Sequence, residues 1–341
     1  MISVALVGCA HIHTPKFIDM LLAREDVHVK VVWDRDAARA QRTASRLHAS
    51  VGLHLESIWQ DEEIRAVVIC SETAQHRDLV LSAVRAEKDL FVEKPLAIGG
   101  AAAREMAEAI TAAGLTFSTG YFLRGLAAYR SLRDDIAAGH LGRITRIRVS
   151  LAHAGALAGW FDDEWRWMAD PSQAGFGALG DLGSHGLDLI LWLLGHRVEV
   201  VRVVAWTGSL TGRYGDIDEC GQALLELSDG STASLCASWI EVADPVQLAI
   251  SGTAAHATVQ DGRLSYRHAG TGSEPRVPHG AVPARVARDL PHAFELFLDA
   301  LSSGDGRELV TPDQAARCCS LVDALYRAAA THAWVSTVAA T

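Results

Sequence analysis

Two stretches of the chain place reactive side chains at spacings that chemistry can use. Glu93-Lys94-Pro95 closes the apolar run Asp89–Val92, so an ammonium emerges where a strand ends. Proline removes a ladder donor and biases Lys94 away from helical geometry, which directs the ammonium and admits a cis bond before Pro95. A surface ion pair at a strand end accounts for the same residues. The second stretch, Gly175 to Asp188, runs into a leucine-rich helix. At roughly 100° per residue, Asp181, His185 and Asp188 fall within about 60° of one another and leave a narrow polar stripe. Trp192 lies inside that stripe, which suits an enclosed cleft better than a water-facing surface. An imidazole can accept a proton near neutrality, an ammonium can stabilise developing negative charge, and a carboxylate can orient either partner.

The elements that position these groups begin with a strand and a tight loop. Gly8-Cys9-Ala10-His11-Ile12-His13 stands where a GxGxxG phosphate loop would follow the first strand, with Gly8 kept, Ala10 at the second glycine and His13 at the third. Gly8 allows the turn and Ala10 a close backbone approach, whereas a histidine at the helix–sheet contact needs extra room. On its own the loop is equally a plain strand-to-helix turn. Asp34 ends the second strand 21 residues after His13. There a carboxylate accepts hydrogen bonds from an adenosine ribose, or serves as a helix N-cap. Asp34 repels a 2′-phosphate and Arg35 attracts one, so NAD is the preferred expectation and NADP stays open. His11 and His13 lie two apart, but no carboxylate or thiolate cluster with metal spacing is near them in sequence. No metal is expected, and the imidazoles can donate to phosphate.

The strands Val4–Val7, His28–Trp33, Ala66–Cys70, Asp89–Val92 and Thr116–Thr119 alternate with amphipathic segments, as a parallel sheet covered on both faces requires. Residues 1–120 therefore read as a dinucleotide-binding α/β (Rossmann) domain. Residues 121–341 read as an α+β domain with a large, mostly antiparallel sheet. Its parts are helices near Leu126–Ala138, Asp181–Leu194, Leu290–Ser302 and Pro312–Thr331, a strand at Ile144–Ala152, and a meander of Val198–Trp206, Gln222–Leu227, Thr232–Ile240, Val246–Ser251 and Ala257–Gln260. Ser228-Asp229-Gly230 is its hairpin turn. A chain of 341 residues, 49% apolar and 21% charged, can bury two cores without staples. With 31 Lys and Arg against 41 Asp and Glu, the net charge of −10 disfavours nucleic acid and anionic membranes. The densest apolar stretch, Leu187 to Leu194, contains Asp188 and falls far short of the roughly 20 residues of a membrane span. Met1–Val7 reads as a strand and not a leader, and six cysteines show no CxxC spacing. These features lead us to expect a cytoplasmic protein with reduced thiols.

Taken together, Glu93-Lys94-Pro95, Gly180-Asp181-Leu182-Gly183-Ser184-His185, Trp165-Arg166 and Cys70-Ser71-Glu72-Thr73-Ala74-Gln75-His76 resemble the Gfo/Idh/MocA family over nearly the whole length. These are NAD(P)-dependent oxidoreductases acting mostly on sugars and polyols. By that resemblance Lys94, Asp181 and His185 match the catalytic trio. Gly8, Asp34, Ser71, Thr73, His76 and Glu93 match cofactor-side positions, joined by Ala10, His11, Ile12, His13, Arg35 and Lys94 around the loop and strand ends. Ala10 and His13 replace two usual glycines, Glu72 stands where proline is frequent, and Thr73 where asparagine is often found. The implied reaction moves a hydride between nicotinamide and a secondary alcohol or ketone of a sugar, inositol or related polyol. His185 would take the proton, Lys94 would stabilise the alkoxide, and Asp181 would orient the substrate or the histidine. Tyr121, Arg124, Trp160, Trp165, Arg166 and Asp188, with Asp181 and His185, are substrate-side candidates; core packing explains the tryptophans equally well. Two other readings are an NAD-dependent glycoside hydrolase working by transient oxidation and a catalytically silent NAD(P)-binding sensor. The free face of the broad sheet implies a homodimer or homotetramer.

Overall fold

The apolar runs near the N-terminus form a sheet with no wet face: Val4 to Val7, Ala66 to Ile69 and Leu90 to Val92 are all wholly buried. The computed structural model describes residues 1–195, 198–268, 282–284 and 286–337. Its chain divides into two compact units, one of residues 1–121, 160–176 and 291–320, the other of 122–159, 177–290 and 321–341. The sequence alone suggests a single break after residue 120. The contacts instead return two later segments to the first unit, and no local pattern in the sequence marks either return.

In the first unit β1 (Ile2–Cys9), β2 (Val27–Trp33), β3 (Ser50–Val51), β4 (Ile64–Cys70), β5 (Asp89–Val92) and β6 (Phe117–Thr119) pair in the order β3-β2-β1-β4-β5-β6. All five pairs are parallel. This is the doubly wound order, and its direction reverses between β1 and β4, where ligands bind outside the carboxyl ends of the strands. Helices α1 (Thr14–Leu22), α2 (Ala37–Leu47), α3 (Leu55–Trp59), α4 (His76–Arg85) and α5 (Gly100–Ala113) make the crossovers.

The second unit holds α6 (Ala127–Ala137) and a nine-stranded sheet: β7 (Ile144–Ala152), β8 (Val200–Gly208), β9 (Cys220–Leu227), β10 (Thr232–Ser238), β11 (Val246–Gly252), β12 (Ala255–Gln260), β13 (Arg263–His268), β14 (Val282–Pro283) and β15 (Val335–Ser336). Their order is β14-β13-β12-β11-β7-β10-β9-β8-β15. The hairpin at Gly230 (φ +84°) joins β9 to β10 as expected. The meander is interrupted, however: β7 inserts between β10 and β11, parallel to the former and antiparallel to the latter. Periodicity identifies strands but carries no information on such long-range order. Between β7 and β8 the chain forms α7 (Pro171–Ala174), part of the first unit, and α8 (Ala178–Leu194). Helix α8 packs on β7, β9 and β10. Its glycines allow the close approach: a Cβ on Gly186 would lie 2.3 Å from Leu235 Cδ1.

Helix α9 (Ala293–Ser303) belongs to the first unit and completes its core, while α10 (Pro312–Thr331) gives residues to both units. Phe294 lies 4.6 Å from Phe17 and 4.9 Å from Phe91 between ring centroids. His292 caps α9: its Nδ1 accepts from Phe294 N–H, and Glu295 accepts from His292 N–H. Burial, helped by nearby Lys16, pushes the imidazole down from 6.5 to about 4. Below 6.5 the unfolded chain therefore takes up a proton that the folded chain refuses. Stability should fall by up to about 3 kcal/mol as pH drops through that window. Urea denaturation across it checks this, and His292→Asn, which keeps a capping oxygen, should flatten the slope.

Candidate functional site

At the carboxyl edge of the first sheet a buried carboxylate organises the loops. Glu93 is wholly inaccessible. Its Oε1 accepts from His13 Nδ1–H at 3.0 Å, its Oε2 accepts from Lys94 N–H at 2.8 Å, and His11 Nε2 stands 3.9 Å from Oε2. Burial works to raise its pKa, but the imidazoles of His11 and His13 and the Lys94 ammonium overcome that, and the carboxyl titrates well below the usual range. Lys94 leaves the end of β5 at 3% exposure, and the Lys94–Pro95 bond is cis. His76, expected beside the cofactor, is wholly buried as a strut, with Nδ1 against the carbonyls of Pro95 and Leu96 and Nε2 against that of Ser71.

The β1–α1 loop keeps the turn but not the donors of a glycine-rich cradle. Gly8 sits at φ +81°, and a Cβ there would meet Ser71 at 2.5 Å, so this crossing requires glycine. His11 N–H donates to Cys70 O, His13 N–H to His11 Nδ1 and Thr14 N–H to His11 O, while Pro15 has no N–H. Few backbone donors therefore remain for a phosphate. Trp167 braces the loop by donating Nε1–H to Ala10 O at 2.9 Å. Trp165 is half-buried and Arg166 exposed in the same segment; Tyr121 is buried. Ligand atoms of His11, His13 and Glu93 lie within 4.8 Å of one another, a spacing fit for a cation. The hydrogen bonds argue otherwise, because a His11 Nδ1 that accepts leaves its proton on Nε2 and His13 directs Nδ1–H at Glu93.

Beyond β2, Asp34 is saturated. It accepts from Cys9 N–H (2.6 Å), Asp36 N–H (2.7 Å), and Arg39 Nε (2.9 Å) and Nη2 (2.8 Å). It does not cap α2; Asp36 does, accepting from Arg39 N–H. Glu72 Oε1 takes both Arg35 at 3.0 Å and Arg39 at 3.2 Å. Thr73 follows, buried at the start of a short 3-10 turn.

In the second unit α8 carries the other candidates. Asp181 accepts from Trp239 Nε1–H at 2.9 Å, and one turn later His185, at 5% exposure, meets the Phe122 ring edge-on at 5.4 Å. Asp188 accepts from Arg124 Nε–H at 2.9 Å through one oxygen and from Arg124 Nη2 through the other. Burial pushes this carboxyl up and Arg124 opposes it. Arg124 is thus engaged within the protein. Trp192 of the stripe lies beneath the Arg133 guanidinium at 4.5 Å. Trp160, of the first unit, is 43% exposed.

Residues 2–121 match the oxidoreductase family with an NAD-binding Rossmann fold, and residues 129–258 match the GFO/IDH/MocA C-terminal domain. The chain belongs to the GFO/IDH/MocA oxidoreductase family. It is 35% identical over 140 residues to 1,5-anhydro-D-fructose reductase of Ensifer adhaerens, covering 41% of this chain and 40% of that protein. With inositol 2-dehydrogenase of Acidothermus cellulolyticus the identity is 33% over 180 residues, 52% and 49% of the two chains. These matches span less than half the length of the curated relatives. A structure of levoglucosan dehydrogenase with NADH and levoglucosan superposes with a TM-score of 0.78 at 20% identity, over 99% of this chain and 100% of that one, a likeness of fold.

Three supporting residues, Arg39, Asp218 and Tyr326, are not marked by any motif in the sequence. Arg39 lies five residues after Asp34, a hint visible only once Asp34 is singled out. Asp218 and Tyr326 had no signal, since they reach α8 from distant sequence. Asp218 accepts from Gly177 N–H, Leu179 N–H and Tyr326 O–H at 2.7 to 3.1 Å, while Tyr326 Oη accepts from Gly177 and Gly180 N–H. Together they cap the helix that carries Asp181 and His185. Burial raises the Asp218 carboxyl, against those hydrogen bonds. Asp218→Ala should lower stability by about 1–3 kcal/mol in urea denaturation, because the N–H groups at the start of α8 lose their acceptor.

Proposed function

We propose that the chain is an NAD-dependent oxidoreductase moving a hydride between nicotinamide and a secondary alcohol or ketone of a sugar, inositol or related polyol. What supports this is the retention of Lys94, Asp181 and His185 in a chain matching both domains of the family. The named relatives act on an anhydro-sugar and an inositol. Gly8, Ala10, His11, Ile12, His13, Asp34, Arg35, Ser71, Thr73, Glu93 and Lys94, all at or beside the carboxyl edge of the first sheet, form the cofactor side. NAD, when bound, supplies the hydride acceptor. Lys94, its backbone fixed by Glu93, stabilises the negative charge on the reacting oxygen. His185 takes the hydroxyl proton on oxidation and returns it on reduction. Asp181, tethered by Trp239, orients the substrate hydroxyl or the imidazole. Trp165, Arg166 and Tyr121 are the substrate-side candidates; Arg124 acts through Asp188.

Among the described residues no helix is long and apolar enough to cross a membrane. We place the protein in the cytoplasm on the strength of its sequence. The sheet face opposite α8 presents Trp206, Leu224 and Val246 at 41% to 48% exposure, around a cavity of about 480 Å³ lined by Arg148, Gln222 and Cys236 among others. Self-association through this face is the reading of those apolar side chains. Sedimentation equilibrium should give a dimer or tetramer; a monomer at micromolar concentration refutes it.

Screening inositols, aldoses, and deoxy and amino sugars with NAD tests the activity. Net NADH formation supports it, whereas bond cleavage without net NADH favours the hydrolase reading and tight NAD binding without turnover the sensor. Lys94→Ala and His185→Ala should each lower turnover by about two to four orders of magnitude. Calorimetry should find NAD binding nearly intact in His185→Ala; wild-type turnover in either variant removes that residue from the mechanism.

A further inference from the structure

We propose that Glu72 is the residue that sets cofactor choice, holding the nucleotide site to NAD and against NADP. The inference rests on the NAD-binding reading above and concerns only its ribose end. That end lies by the carboxyl terminus of β2, where Asp34, Arg35, Arg39 and Glu72 form one cluster.

Asp34 is the residue that position would assign to the ribose, yet its two oxygens already accept four hydrogen bonds from the protein. A carboxylate offers about four lone-pair directions, so Asp34 has little left for a hydroxyl. Glu72 differs. Its Oε1 receives both guanidinium groups, while its Oε2 accepts no hydrogen bond among the described residues. Glu72 Oε2 is therefore the acceptor with room for a ribose hydroxyl.

The same arrangement disfavours a 2′-phosphate. Two carboxylates and two guanidinium groups make the cluster neutral, and the side chains of Asp34 and Glu72 are 1% and 4% exposed. A phosphate carrying about two negative charges would need Arg35 or Arg39 to itself. Drawing either away leaves a buried carboxylate short of its partner, which is strongly unfavourable. Arg35, 48% exposed, is the better placed to turn toward a phosphate once Glu72 is neutral. Arg39 is bound bidentately to Asp34 and stays in place. Discrimination here comes from occupying the cations that a 2′-phosphate needs, in addition to repelling it.

The test measures Kd for NAD and NADP by calorimetry on the full chain, with circular dichroism confirming the fold. Wild type should bind NAD the more tightly. Glu72→Gln should lower the ratio of Kd for NADP to Kd for NAD by about tenfold or more, and adding Arg35→Ala should restore most of it. Arg35→Ala alone should move the ratio by less than about threefold, because Glu72 already holds that guanidinium. This single variant keeps the proposal falsifiable if Glu72→Gln fails to fold. An unchanged ratio in folded Glu72→Gln, a wild type preferring NADP, or a tenfold loss of NADP binding in Arg35→Ala alone overturns the role of Glu72. A wild type that binds neither nucleotide overturns the NAD reading itself.

Discussion

A carboxylate removed from water persists only where cations and N–H groups surround it, and Glu93 imposes that condition on everything near it. The condition explains residue types that otherwise look like departures from a phosphate loop. His11 and His13 stand where small residues are usual because the imidazoles counter the buried charge. Gly120, at the end of β6, has no side chain because a Cβ there would come within 3.1 Å of a Glu93 oxygen. Lys94 inherits a fixed backbone from the same carboxylate. One buried charge thus couples a loop, two strand ends and the Lys94 backbone.

The second unit solves a comparable problem at α8. Its start, unlike that of a surface helix, is not capped by a neighbouring serine or aspartate. Asp218 and Tyr326 arrive from other elements and satisfy the first N–H groups, and a Cβ at Gly177 would collide with the Asp218 carbonyl at 2.1 Å. Arg124 on Asp188 and Trp239 on Asp181 then hold the polar stripe in register. A stripe buried among leucines keeps its shape because each carboxylate in it has a partner.

Much of this was legible in the sequence. Runs such as Ala66–Cys70 and the stripe of Asp181, His185 and Asp188 are local patterns, and the elements they imply are present: a parallel sheet with crossover helices and a mostly antiparallel sheet. The motifs Glu93-Lys94-Pro95 and Gly180 to His185 are also local, and they sufficed to suggest the family. What was not legible is long-range. The insertion of β7 beside β10, the saturation of Asp34 by Arg39, and the capping of α8 by Asp218 depend on residues tens of positions apart or on hydrogen-bond counts that spacing does not encode. Arg124 illustrates the limit, since its charge and position suggest a ligand contact whereas its guanidinium is held by Asp188.

The return of α9 to the first unit bears on how the chain is made. Phe17 and Phe91 are synthesised early, yet the rings that seal them, Phe294 and Phe297, emerge only after eight of the nine strands of the second sheet have been translated. A nascent chain therefore leaves the ribosome with an open aromatic face on its N-terminal sheet through most of elongation, a state in which chaperone capture competes with folding. Vectorial synthesis gives the earliest strands the longest wait for their last layer.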